Sequence, residues 1–214
     1  MDEDMTGEKP SRSEAKRRAI LAAATDVFLR SGYLGTNMDE IAALSGVSKQ
    51  TVYKHFSSKE ALFVEIVSSM TNTAGDLVHN DIAAAKTEAV LADFLVDYAY
   101  RQLSVVLTPR LMQLRRLVIG EVPRFPDLAR VLYERGPLRA MRALAATFEI
   151  LAQRGFLTVE EPMLAAQHFN WLVMSEPLNR AMLMGDDAIP ADDELRRTAR
   201  DGVRVFLAAY GKGK

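Results

Sequence analysis

The segment Met38-Asp-Glu-Ile-Ala-Ala-Leu-Ser-Gly-Val-Ser-Lys-Gln-Thr-Val-Tyr-Lys-His-Phe56 reads as two short helices joined by a tight turn. Ala42 is small where two helices must cross closely, Gly46 permits the left-handed residue that reverses the chain, and Ile41, Val47 and Val52 supply a shared apolar seam. With those residues inward, the second helix starts at Ser48 and presents Lys49, Gln50, Thr51, Tyr53, Lys54 and His55. That set is rich in donors with the reach needed for phosphates and base edges in a major groove. The pattern is a helix-turn-helix, and its second helix is the expected reader of double-stranded DNA, with Lys49, Gln50, Thr51 and Lys54 nearest the bases.

Working outward, Ser11 and Glu14 have the spacing of a capping box, and Ile20, Ala24, Val27 and Phe28 then fall on one helical face until Gly32, the expected end of a first helix. Thr36 with Asp39 repeats the start signal for a helix whose apolar residues are Met38, Ile41, Ala42 and Leu44. Ser57 with Glu60 gives a third, opening a helix through Leu62, Phe63, Ile66, Val67 and Met70. Further helices are expected at roughly 88–107, 109–121, 124–134, 136–154, 160–184 and 191–210, with breaks at Pro109, Pro123, Pro126, Gly136-Pro137, Gly155 and Gly185–Pro190. No alternating strand pattern competes, so the class is all-α. The expected organisation is a disordered lead-in at 1–10, a DNA-binding domain at 11–70 and a helical effector-binding and dimerisation domain at 71–210.

Composition narrows the classes. The chain has 214 residues, 49% of them hydrophobic, and a formal net charge of −1, which by itself argues against a nucleic-acid partner. Distribution reverses that argument: from Lys9 to Lys59 nine basic residues face four acidic ones, leaving +5 on this stretch and an acidic remainder. There is no cysteine, which excludes disulfides, thiolate metal sites and thiol redox sensing and fits a cytoplasmic protein. No segment has the length of uninterrupted apolar residues that a membrane span needs. His55, His79 and His168 are far apart, and no nucleophile elbow, zinc-protease motif or phosphate loop is present. No enzyme activity, metal or cofactor is expected.

At Gly32-Tyr33, Thr36, Ile41-Ala42, Gly46-Val47, Thr51-Val52-Tyr53-Lys54-His55-Phe56 and Lys59-Glu60-Ala61-Leu62 the sequence resembles the TetR/AcrR family of transcriptional regulators over about residues 14–65. It departs from many members at Ser57-Ser58, where they carry a glycine. The resemblance implies phosphate contacts for Tyr53, His55, Lys59 and Thr36, an operator of two half-sites, a homodimer, and a C-terminal domain that binds a small-molecule effector. The stretch Arg116–Ala129, with Gly136-Pro137 after it, resembles the AefR-like subgroup of such domains. A repressor released from a palindromic operator by a largely apolar ligand is the expectation. An architectural DNA-binding protein without inducer, or an activator, is the alternative.

For the C-terminal domain, Phe94, Tyr98, Leu103, Met112, Leu117, Phe148, Phe169 and Met174 are the candidate ligand contacts, because aromatic and methionine side chains adapt to irregular apolar molecules. Core packing is the competing role for each. The dimer interface is expected on the last two long helices, at Trp171, Pro177, Leu178, Met182, Val203 and Phe206. Asp97, Glu121, Glu149 and Glu176 are possible partners for a cationic ligand, but Arg115, Arg116 and Arg180 are equally available to them, so the ligand's charge stays open.

Overall fold

The computed structural model describes residues 11–79 and 88–212, all ordered elements being helical apart from one isolated bridge between Leu157 and Gly211. The lead-in expected at 1–10 lies outside the described residues. The chain divides into two compact units, one ending at Ile66 and one beginning at Val67.

In the first unit, α1 spans Arg12–Gly35 and opens on the expected capping box. Ser11 Oγ accepts from the Glu14 N–H at 3.2 Å, while the Glu14 carboxylate accepts from the Ser11 N–H at 2.8 Å. Two orphan donors of the first turn are thereby satisfied. Gly32 adopts a left-handed φ of 70°, but the chain then makes one further helical turn to Gly35, so the expected terminus is a kink.

The next helix, α2, is Met38–Ser45, and its cap is Asn37 rather than Thr36: Asn37 Oδ1 accepts from the Asp39 N–H at 2.9 Å. Thr36 is excluded because its hydroxyl donates back to the Gly32 carbonyl at 2.7 Å. Gly46 follows with φ 67° and ψ 25°, a conformation that costs a residue with a Cβ. The second helix of the pair, α3, is Lys49–His55 with Ser48 as cap, and α4 is Lys59–His79. Ser58, not Ser57, caps α4, accepting from the Ala61 N–H at 3.0 Å.

The core of this unit is aromatic at its centre. Phe28 stacks on Phe63 with ring centroids 5.0 Å apart, and Tyr33 tilts against both at 5.9 and 5.2 Å. Ile20, Ile41, Val52 and Leu62 are fully buried around them, whereas Leu44 points to solvent.

The second unit holds the rest of α4 and six more helices: α5 (Glu88–Val106), α6 (Pro109–Gly120), α7 (Pro126–Arg135), α8 (Pro137–Gln153), α9 (Pro162–Met184) and α10 (Asp192–Tyr210). Four of them begin with proline, which loses nothing at a first position where the N–H has no intrahelical acceptor. The core runs through Tyr98, Phe148, Phe169 and Phe206, with Phe148 stacked on Phe206 at 4.9 Å and Phe169 edge-on to Phe206 at 5.2 Å. The crossing of α9 and α10 is close at Gly202, where a Cβ would sit 3.0 Å from Val173 Cγ2 and 3.3 Å from the Leu172 carbonyl oxygen. A short 3-10 turn, Asp186–Ala188, joins these two helices.

Candidate nucleic-acid interface and effector cavity

On α3 the outward residues divide into those already engaged and those open. Ser48 and Thr51 are bonded to each other, hydroxyl to hydroxyl, at 2.8 Å, and Ser48 also accepts from the Thr51 N–H at 3.2 Å. Lys49 pairs with Asp39 of α2 at 2.9 Å with both side chains more than half exposed, and the Asp39 carboxylate raises the lysine's pKa. Water and salt screen a pair of that exposure, so a DNA phosphate can compete for the lysine. Gln50, Tyr53 and Lys54 are exposed, and among the described residues their side chains carry no hydrogen bond or ion pair. His55 is half-buried against Phe56.

Thr36 and Lys59 stand differently from the rest. Thr36 is only 5% exposed, and its hydroxyl is committed to Gly32, so its side chain is an anchor of the α1–α2 turn and not a surface donor. The Lys59 ammonium donates to the Thr36 carbonyl at 2.7 Å and the Leu34 carbonyl at 3.3 Å, and lies 4.9 Å from the centre of the Tyr33 ring. It ties the first turn of α4 to the turn before α2. Arg17 performs a similar office from α1, pairing with Glu65 at 2.7 Å and covering the Phe56 ring at 5.2 Å.

In the second unit a cavity opens among α4, α5, α6, α7, α8 and α9. This slot has a free space of about 760 Å³ counting its mouth. One wall is α4, through Thr71, Ala74, Gly75 and Val78; another is α9, through Asn170, Trp171, Met174 and Leu178. Of the eight residues the sequence offered as ligand contacts, Met174 lines this slot. Tyr98, Leu103, Met112, Phe148 and Phe169 are fully buried in the main core, Phe94 packs against that core, and Leu117 is half-buried outside the slot. Their apolarity is spent on packing.

The sequence reading missed the polar lining. Gln102 and Asn170, each 4% exposed, face the slot, and Gln102 Nε2 donates to Asn170 Oδ1 at 2.9 Å. The available signal was weak, because Gln102 follows Arg101 and α9 carries Gln167 and Asn179 besides Asn170.

The proposed dimer residues also separate. Val203 and Phe206 are buried in the protomer's own core, although Phe206 also lines the outer groove on α9 and α10, and Pro177 is buried within α9. Leu178 and Met182 are half-buried and Trp171 is exposed. The exposed apolar side of α9 and α10 is instead a shallow groove containing Trp171, Leu172, Val205 and Ala209.

The acidic residues beside apolar stretches stay out of the slot: Asp97, Glu149 and Glu176 are exposed, and Glu121 is half-buried at the end of α6. Arg116 donates to Asp186 and to the Ala181 carbonyl at 2.9 Å, and Gln113 donates to the same carboxylate at 2.7 Å. The Arg116 hydrogen bond is the main cause that holds the Asp186 carboxyl below its ordinary range. A carboxyl depressed in the folded state contributes stability that is complete above the ordinary carboxylate range and is lost as pH falls through the depressed value. Asp186→Asn is expected to flatten the acid limb of a thermal-stability profile taken from neutrality to about pH 3. Identical acid limbs in variant and parent would remove that role.

A helix-turn-helix unit is thus followed by a helical unit with its own cavity. Residues 20–66 match the N-terminal domain of bacterial regulatory proteins of the tetR family, and residues 93–212 match the AefR-like transcriptional repressor C-terminal domain. The chain belongs to the TetR family of transcriptional regulators. It is 39% identical to a TetR-family regulator of Mesorhizobium loti MAFF303099, whose crystal structure superposes with a TM-score of 0.87 over 94% of this chain and 100% of that one. The flavonoid-responsive regulator FrrA is 31% identical, with a TM-score of 0.75 over 94% of this chain and 100% of its own. RutR of Escherichia coli K12 is 44% identical over 62 residues, a segment spanning 29% of each chain. No described helix is long and apolar enough to cross a membrane.

Proposed function

We propose that the protein is a cytoplasmic, homodimeric repressor that binds a palindromic operator and is released from it by a small, flat, largely apolar effector. The observation that carries the reading is the slot wall formed by α4. That helix begins at Lys59, directly after the reading helix, and continues unbroken to the slot-lining residues Thr71, Ala74, Gly75 and Val78. An effector that binds more tightly when α4 is displaced shifts the population toward a state whose two reading helices no longer match half-sites about 34 Å apart. The AefR-like repressor match supports the sign of regulation. The flavonoid response of FrrA supports a flat aromatic molecule for this slot. The apolar groove on α9 and α10 supports dimerisation through those helices, as four helices contributed by two protomers.

Within this reading Gln50, with Lys49, Thr51 and Lys54, reads bases, and Tyr53, His55 and Ser48 position the helix on phosphates. Lys59 acts from the first turn of α4. Thr36 acts indirectly, by shaping the turn that Lys59 grips.

The test is selection of bound duplexes from a random pool at about 150 mM salt, where non-specific phosphate attraction is weakened. A two-fold palindrome is expected, bound on the order of 1,000-fold tighter than random DNA. No enriched sequence would overturn the reading. On that palindrome, Tyr53→Phe is expected to weaken all duplexes alike, whereas Gln50→Ala changes preference at a few base pairs by about 1–3 kcal/mol each. Uniform weakening by Gln50→Ala would reassign it to positioning.

A further inference from the structure

Apart from Thr71, whose hydroxyl donates to the Val67 carbonyl at 2.6 Å, the slot is lined by two amides and one guanidinium, and two of these three groups, on Gln102 and Arg115, have atoms that lack partners among the described residues. Gln102 Oε1 is buried and has no hydrogen-bond partner, although the other end of the same amide is bonded to Asn170. An acceptor in that state is paid for in stability unless something donates to it. The third group is Arg115 on α6, which lines the slot with Gln102 and Asn170. Its neighbour Arg116 is held by Asp186, and Arg180 is held by Glu194 at 2.6 Å. Arg115 has no such carboxylate: among the described residues it makes no hydrogen bond or ion pair. Burial alone pushes its pKa down. Arg115 is partly buried and water still reaches its guanidinium, which keeps its proton regardless, so a fixed positive charge stands at the slot wall and favours an anion there.

Resting on the reading of this slot as the effector site, we propose that the effector is an acid: an apolar body carrying one carboxylate, which Arg115 binds, and a hydroxyl or N–H group, which donates to Gln102 Oε1. A planar carboxylate matches the planar fork of an arginine and gains a charge-assisted pair of hydrogen bonds there. A cation would meet Arg115 as a like charge, and a wholly apolar molecule would leave both groups as they are. Arg115 and Gln102 Oε1 together select, among apolar molecules, those that carry both an acid and a donor.

The test uses the full-length protein and matched pairs of carboxylic acid and primary amide on three bodies: decanoyl, 2-naphthoyl and 4-phenylbenzoyl. Calorimetric titration of each pair is done on the parent and on Arg115→Met, which keeps the length of the side chain and removes its charge. At least one acid is expected to bind the parent roughly tenfold or more tightly than its amide, and Arg115→Met is expected to abolish that preference while leaving amide binding in place. Arg115→Met is also expected to melt no lower than the parent, since it removes a cation without a partner; a folded variant is thereby checked independently. Gln102→Leu should leave the acid preference but erase the gain from moving to a 6-hydroxy-2-naphthoate probe. Equal affinity for acid and amide in the parent, a preference that survives Arg115→Met, or no binding by any acid would overturn the proposal. An amide that binds and releases operator DNA would overturn the acid while keeping the regulator reading. An acid that binds through Arg115 without changing operator affinity would do the reverse.

Discussion

Phe206→Ala is expected to lower the stability of the second unit by about 3–5 kcal/mol, the cost of deleting a fully buried ring where neighbours cannot close the gap. Phe206 is 0% exposed, stacked between Phe148 at 4.9 Å and Tyr210 at 4.8 Å, with Phe169 edge-on. Three aromatic partners lose their contacts at once, and rings fixed on three different helices do not collapse inward together. Urea denaturation followed by circular dichroism measures the effect. A loss below about 1 kcal/mol, with dissociation of a dimer instead, would return Phe206 to the interface role that its position on α10 first suggested.

Leu172→Glu and Val205→Glu are expected to do the opposite: leave the protomer's unfolding unchanged and convert the dimer to a monomer, with operator affinity falling by about 100-fold or more. Leu172 is 40% and Val205 42% exposed, so a carboxylate at either place can reach water within the protomer. Across a two-fold axis the same patch faces itself, and each substitution sets like charges against apolar surface on both sides. Sedimentation and operator titration at fixed salt report the two consequences. A dimer that persists in both variants would place the interface elsewhere.

How far the sequence foretold these features follows from the range of the interactions concerned. Local chemistry was legible: the Ser11–Glu14 box, the left-handed Gly46 and the prolines that open α6, α7 and α8 act within four residues of themselves. Local ambiguity produced the small errors, since Thr36 and Asn37 are both capping types and so are Ser57 and Ser58. The choice at the first pair was made by the Thr36 hydroxyl turning back to the Gly32 carbonyl. The site was less legible. Leu195, Ala199, Val203 and Phe206 form the buried side of α10, and its other side is charged until Val205 and Ala209; in the last two turns apolar residues lie on both sides, so pattern alone does not say that these two meet water. Tyr98 and Phe148 look as suitable for a ligand as Met174 does. What distinguishes a wall from a filling is an empty neighbour, and that exists only after α4 to α9 have packed. Gln102 and Asn170 meet across 68 positions, and the solitude of Arg115 is defined by where Asp186 and Glu194 go.

Trp171 belongs both to the slot and to the outer groove, is half exposed, and is the single tryptophan of the chain. Its indole therefore makes the protein its own optical gauge. If a second protomer covers the groove as proposed, water leaves one face of the ring and emission shifts to shorter wavelength, rising with protein concentration until the dimer is fully formed. Filling the slot alters the other face, and does so at constant protein concentration as the effector is added. Two events that biochemical assays record separately are written in one spectrum, and a dilution series at saturating effector is enough to tell them apart.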